Sequence, residues 1–229
     1  MRIIGIDTAT GMRGIAIIDG QDILIEKRIN ISGLSYDILM RYIDEAFRTV
    51  LISPKDIDGI AVSTGPGSFT GIRVGIALAK GLSLSLNIPI MTFSALELLA
   101  SNLPFSRYPI RPVIDAKRRD VYTALFKSDK NGIIRRIDDD MNISIDEVVK
   151  RSGESTLFVG DGIFLYKRFL SEQLGENALF PSENLIFSSA ANLARLGIRD
   201  LTEGNTSPHP IIPKYLKRSY AEMNITSKD

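Results

Sequence analysis

Ile4-Gly5-Ile6-Asp7-Thr8-Ala9-Thr10, followed after a short break by Gly14-Ile15-Ala16-Ile17-Ile18, is the stretch on which the fold turns. It reads as an apolar strand, an acid, a polar turn and a second apolar strand. Asp19-Gly20 makes a tight turn, and Ile23–Ile29 supplies a third strand, so the opening predicts an antiparallel meander. A helix follows, because Tyr36, Leu39, Met40, Ile43, Phe47 and Val50 recur at i, i+3, i+4, i+7 spacing. Asp58–Ser63 is a short buried strand and Gly65–Gly71 a glycine-rich loop. Thr70–Leu86 is a helix that Asn87 and Pro89 end, Pro89–Phe93 is a strand, and Ser94 caps a helix running to Ser101.

The pattern then restarts. Val113-Ile114-Asp115, a turn, and Val121–Phe126 echo the opening strand, acid, turn and strand. A helix near Ile145–Arg151, a strand at Thr156–Val159, helices near Phe164–Leu174 and Ser188–Gly197, and a Pro-rich exit at Ser207–Tyr215 complete the chain. Pro104 to Pro109 marks the boundary, giving an expected first lobe at 1–104 and a second at 105–229. A meander followed by alternating helices and strands, given twice, resembles the two-lobed α/β superfold of actin-like ATPases and sugar kinases, built from duplicated ribonuclease-H-like lobes. In that superfold a nucleotide sits between the lobes on two phosphate loops.

Composition removes several chemistries. With 44% hydrophobic and 24% charged residues the chain can build a globular core, and a net charge of +1 gives no general pull towards nucleic acid or membrane. There is no cysteine, which excludes disulfides, thiolate nucleophiles and cysteine-bound zinc. His209 is the single histidine, between Pro208 and Pro210, too few for an imidazole metal site. Met1–Asp7 lacks the apolar stretch of a signal peptide, and no apolar run of about 18 residues is evident, so a cytoplasmic protein without a membrane span is expected.

The phosphate loops are degraded. The superfold's first loop, Asp-x-Gly-Thr/Ser, reads Asp7-Thr8-Ala9-Thr10, with Ala9 in place of the glycine that lets backbone amides approach phosphate. The second reads Asp115-Ala116-Lys117-Arg118-Arg119-Asp120 and has no glycine. Asp7, Thr8, Thr10, Asp115 and Lys117 are therefore expected to form a vestigial nucleotide or anion site. Gly65-Pro66-Gly67-Ser68-Phe69-Thr70-Gly71 fits neither common phosphate-loop spacing. Two readings stay open for it: an anion site at the following helix N-terminus, or a tight strand-to-helix turn with Ser68 or Thr70 as N-cap.

The helix after that loop has too few wet faces. Only Arg73 and Lys80 form a polar stripe, Gly71, Gly75, Ala79 and Ser83 lie on one small-residue row, and Ile72 and Ile76 flank it. A helix apolar almost all round must be buried almost all round. The expected cover is another helix, from this chain or from a partner, and the expected interface is Tyr36, Leu39, Met40, Ile43, Gly71, Ile72, Gly75, Ile76 and Ala79. Gly75→Arg or Ala79→Glu is expected to break an oligomer and leave each chain folded.

Gly65–Gly75, Gly-Pro-Gly-Ser-Phe-Thr-Gly-Ile-Arg-Val-Gly, is similar to the signature of the TsaB (YeaZ) family. Ala79-Lys80-Gly81-Leu82, Ser94-Ala95-Leu96-Glu97, Asp115–Tyr122 and Tyr215-Leu216-Lys217 support the resemblance along the chain, with Lys117 and Asp120 where relatives carry arginine and glutamate. Leu34-Ser35 stands where relatives often carry His-Ser. The resemblance implies a non-catalytic partner in forming threonylcarbamoyladenosine in tRNA. It would pair with the catalytic, metal-binding paralogue TsaD through first-lobe helices, with an ATPase, TsaE, joining the complex. A homodimer when alone, tRNA contact only inside the complex, and no cofactor, metal or catalytic residue of its own are further implications. The alternatives are an actin-like ATPase or small-molecule kinase using Asp7 and Asp115 to position Mg²⁺ and phosphates, or a hydrolase using Ser68 or Ser63 with His209.

Overall fold

A computed structural model describes residues 1–30, 36–207 and 210–216. Leu34-Ser35, His209 and Lys217 lie outside these described residues. The meander forms as read: β1 (Arg2–Asp7), β2 (Arg13–Asp19) and β3 (Asp22–Ile29) pair antiparallel. Helix α1 (Tyr36–Val50) leads to β4 (Gly59–Ser63), α2 (Phe69–Leu86), β5 (Ile90–Phe93) and α3 (Ala95–Ala100). β4 runs parallel to β1, and β5 parallel to β4, giving the sheet order β3-β2-β1-β4-β5. β1 and β4 are flanked on both sides and have helices on both faces. They consequently read as continuous apolar runs rather than alternating ones.

The second half repeats this topology. Its strands are β6 (Ile110–Asp115), β7 (Asp120–Thr123), β8 (Phe126–Ser128), β9 (Ile134–Arg136) and β10 (Met141–Ser144). Then come α4 (Ile145–Lys150), β11 (Thr156–Val159), α5 (Ile163–Leu174), β12 (Ala178–Leu179) and α6 (Ala190–Thr202). The order β10-β7-β6-β11-β12 matches β3-β2-β1-β4-β5 strand for strand in direction, and a β8–β9 hairpin is inserted beside β6.

Across the expected division at residue 104, the closing helices of the two halves are exchanged. α3 belongs by sequence to the first half but packs on β6. α6 belongs to the second half but covers β1, β2 and β4. Its residues Ala190, Ala191, Leu193 and Ala194 join Ile3, Ala16, Ile18, Ala61 and Met91 in one buried cluster. The approach is so close that a Cβ on Gly5 would lie 2.2 Å from the Ala190 carbonyl oxygen, so only glycine fits in β1 there. Ser207 and residues 210–216 also return to the first lobe: the Ser207 amide donates to the Ile90 carbonyl and the Lys214 amide to the Thr64 carbonyl, at 2.9 and 2.8 Å. The main core runs through both halves, from Ile4, Ile6 and Val62 to Ile110, Ile114, Phe126 and Val159.

α2 begins at Ser68, whose hydroxyl accepts the Gly71 amide at 3.2 Å, and ends at Asn87 in the left-handed conformation. Among the described residues it is the one helix long and apolar enough to cross a bilayer, yet it lies against the sheet. The N-terminal part of its small-residue row, Gly71 and Gly75, packs against Thr8 of the same chain. A Cβ on Gly71 would sit 2.1 Å from the Thr8 carbonyl oxygen, and one on Gly75 2.3 Å from Thr8 Oγ1. Thr8, the first residue after β1, fills the space beside Gly71 and Gly75. Gly75→Arg is therefore expected to unfold the lobe rather than split an oligomer. On the same helix Gly71→Ala should cost about 1–3 kcal/mol by overpacking. Gly81→Ala, with nothing within 4 Å of the new methyl, should gain about 0.5–1 kcal/mol. Urea unfolding of the two variants tests the contrast.

Candidate functional site

Three acids stand where strands end and the two sheets face each other: Asp7 closes β1, Asp115 closes β6, and Asp161 follows β11 in Gly160-Asp161-Gly162. Strand ends at such a crevice are where open α/β sheets place ligands. A cleft of about 600 Å³ opens here. Ala9, Thr10 and Gly11 line it from the first turn, Asp115, Ala116 and Lys117 from the second, and Asp161, Phe69, Tyr122, Tyr215 and Leu216 from its other walls.

The chain's own carboxylates already fill the polar positions around it. Asp7 is buried. Its Oδ1 accepts the Ala9 amide at 3.1 Å and the Ser63 hydroxyl, and its Oδ2 accepts the Ser188 hydroxyl. Burial pushes its pKa above the ordinary carboxylate range, and these hydrogen bonds offset only part of that push. Asp115 Oδ1 accepts the Lys117 amide at 2.9 Å, and Oδ2 pairs with Lys117 Nζ at 2.5 Å, which raises the lysine's pKa. Asp161 accepts the Gly11 amide at 3.1 Å and the Asp115 amide at 3.3 Å. Its pKa is also raised, again chiefly by burial.

The remaining members of the expected anion site turn inward. Thr8 Oγ1 donates to the Gly71 carbonyl at 2.7 Å, and Thr10 Oγ1 donates to the Met12 carbonyl at 2.8 Å. Lys117 is exposed, in a turn where Lys117, Arg118 and Arg119 all have positive φ. Asp115 and Lys117 therefore line the cleft, while Asp7 and Thr8 sit beneath it. The glycine-rich loop lies on the first turn: Ser68 N–H donates to the Ala9 carbonyl at 2.7 Å, and a Cβ on Gly67 would be 2.0 Å from that oxygen. Of the two readings of this loop, the structure displays the tight turn with Ser68 as cap. Ser63 is buried against Asp7, so it is not presented as a nucleophile.

Asp161 escaped the sequence reading. Its signal was there, since Val159-Gly160-Asp161-Gly162 is a third apolar strand ending at an acid and a turn. The aromatic wall was missed too. Tyr215 stacks on Phe69 with centroids 4.7 Å apart, Arg73 lies 3.8 Å over Phe69, and Arg73 Nε donates to the Tyr215 hydroxyl at 2.9 Å. Lys80 Nζ donates to the Ile211 carbonyl at 3.1 Å. The two cations of α2 thus hold the C-terminal segment.

Of the expected interface residues, Leu39, Ile43, Gly71, Ile72, Gly75, Ile76 and Ala79 are buried within the chain, Met40 is half-buried and Tyr36 is exposed. What α1 and α2 present outward is a second set. Leu51 is 90% exposed and Leu84 80% exposed, with Arg73, Ala77 and Gly81 open beside them. An open groove of about 580 Å³ between the helices is lined by Met40, Ile43, Phe47, Leu51 and Leu82.

The family model of TsaD, tRNA N6-adenosine threonylcarbamoyltransferase, matches residues 35–225. A Bacillus subtilis protein, tRNA threonylcarbamoyladenosine biosynthesis protein TsaB, is 32% identical over 97% of this chain and 96% of its own. The chain belongs to the TsaB family. A Pseudomonas aeruginosa structure, described as similar to the peptidase YeaZ, superposes with a TM-score of 0.79 at 20% identity, covering 94% of this chain and 99% of that one. The activator of 2-hydroxyisocaproyl-CoA dehydratase from Clostridium difficile, solved with bound ADPNP, superposes at 0.53 with 13% identity, covering 92% and 100%. With the repeated sheet topology, these likenesses give the TsaB-family chain the two-lobed actin-like and sugar-kinase fold.

The raised pKa of Asp7 has a thermodynamic signature. A carboxyl raised on folding favours the native state while protonated. That contribution is full below the ordinary value of 3.8 and is lost as pH climbs through the higher folded value. Asp7→Asn removes the loss, so its stability relative to the unmodified chain should improve as pH rises from 3.8 to the higher folded value and level off above it. Urea unfolding across a pH series would contradict this if the difference stayed flat or narrowed.

Proposed function

We propose that this chain acts in forming threonylcarbamoyladenosine in tRNA as a non-catalytic subunit that docks a TsaD-like catalytic paralogue on the outer face of α1 and α2. Membership of the TsaB family supports the pathway. The observation that carries the docking role is the pair of almost fully exposed leucines, Leu51 in the turn just past α1 and Leu84 on α2, beside an open apolar groove. Exposed apolar side chains that adjoin an apolar groove are the kind of surface a protein partner covers. Ala77 and Gly81 on the same open side of α2 allow another helix to approach closely.

The non-catalytic part of the proposal is supported by the state of the cleft. A nucleotide phosphate on the first turn would need amides that Asp7 and Asp161 already hold. In this reading the ATPase of the complex is a separate TsaE-like protein. The tRNA is met only in the assembled complex, the complex works in the cytoplasm, and a homodimer of this chain uses the same helical face when the paralogue is absent.

Leu84→Asp and Ala77→Glu place charge on that face without touching the core. Each should abolish co-purification with the TsaD-like protein of the same organism and the tRNA modification that depends on it, while circular dichroism and melting temperature stay unchanged. Undiminished co-purification by both variants would count against the α1–α2 face. Full tRNA modification without this chain would count against the subunit role itself.

A further inference from the structure

We propose that the Asp161 carboxylate is a built-in substitute for a bound anion, clasping the turns of both lobes from within and leaving a latent phosphate site beneath it. The two turns that face the cleft come from different lobes. Gly11 follows β1 in the first, and Asp115 opens the turn after β6 in the second. Their backbone amides converge on one carboxylate: Gly11 N–H on Oδ2 at 3.1 Å and Asp115 N–H on Oδ1 at 3.3 Å. Backbone amides that converge on one anionic group are what phosphate-binding concavities also supply, there from successive residues of one turn and here from two turns. Here the anion is covalently part of the chain.

Burial raises the Asp161 pKa, and the two amides that it accepts are the main influence holding it towards the charged form; Lys117 adds to them, while Asp115, which opposes them, is tied to that same lysine at 2.5 Å. A methyl on Gly11 would lie 3.2 Å from Asp161 Oδ2, so the carboxylate fills the space directly against the first turn. The rest of the interlobe joint needs no clasp, since core residues of both halves pack together and α3 and α6 are exchanged. Asp161 therefore holds the cleft's polar mouth, not its base. Cutting away the carboxylate should free two amides and turn Lys117 towards an unfilled anion-sized space. This inference concerns the cleft and does not depend on the docking face of α1 and α2.

The experiment compares the full chain with Asp161→Ala and Asp161→Asn. Amide exchange at Gly11 is read by NMR and melting temperature by circular dichroism. Each is measured with and without inorganic phosphate, and sodium chloride matches the ionic strength. In Asp161→Ala, exchange at Gly11 should quicken by at least about tenfold, the value of one charge-assisted hydrogen bond, and millimolar phosphate should slow it again and raise the melting temperature. The unmodified chain should not respond to phosphate. Asp161→Asn keeps one carbonyl acceptor and should fall between the two, and it carries the test if the alanine variant does not fold. Unchanged exchange at Gly11 in a folded variant would overturn the proposal. So would equal phosphate stabilisation of variant and unmodified chain, or no phosphate response in either.

Discussion

Backbone amides at the ends of strands must find acceptors, and in this chain they find them in its own carboxylates. Asp7 takes the Ala9 amide, Asp115 takes the Lys117 amide, and Asp161 takes those of Gly11 and Asp115. The need is mutual. A buried carboxylate without donors is heavily penalised, and so is a buried amide without an acceptor. Hydrogen bonds to a charged group contribute roughly 1.5–3 kcal/mol each. A phosphate entering the cleft would have to displace several such bonds and leave buried acids behind it, close to its own negative charge. The crevice keeps the shape of a nucleotide site while its chemistry is internally satisfied.

That self-satisfied joint frees the outside of the molecule for another task. The halves are joined by a common core and by the exchange of α3 and α6, so their relative position does not rest on a ligand. A fixed scaffold of this kind is a good base for a docking face, since little ordering remains to oppose association. α2 has two contrasting sides. Its inner face, with Gly71 and Gly75 on Thr8, closes over the end of β1. Its outer side carries Ala77, Gly81 and Leu84 into solvent, and Arg73 at its first turns clasps Phe69 and Tyr215 at the lip of the cleft.

Much of the fold was legible in the residues. Two strand–acid–turn–strand passages, at Ile4–Ile18 and Val113–Phe126, mark the equivalent strands of two matching sheets. The apolar periodicity of α1 and the caps of α2 were equally readable. The β8–β9 hairpin was not, because each strand has only three residues and carries no alternation long enough to register. The swap of α3 and α6 was also hidden. A helix's apolar stripe says that it must be covered but not which sheet covers it. The same limit explains α2. Its small residues signal a close approach, and at Gly71 and Gly75 what approaches is Thr8, through its carbonyl and its hydroxyl. Ala9 stands where the superfold's first loop has glycine, and its amide donates to Asp7. Asp161 went unread because its role exists only in three dimensions, where a turn 150 residues away donates to it.

The central claim is that the cleft of the isolated chain is chemically filled and the protein works through a partner. Calorimetric titration of ATP with Mg²⁺ into the purified, isolated chain tests it most directly. The account predicts no association tighter than about millimolar, a binding free energy near −4 kcal/mol or weaker. Saturable binding in the micromolar range or below, lost on mutating cleft residues such as Lys117 and Asp115, would contradict it.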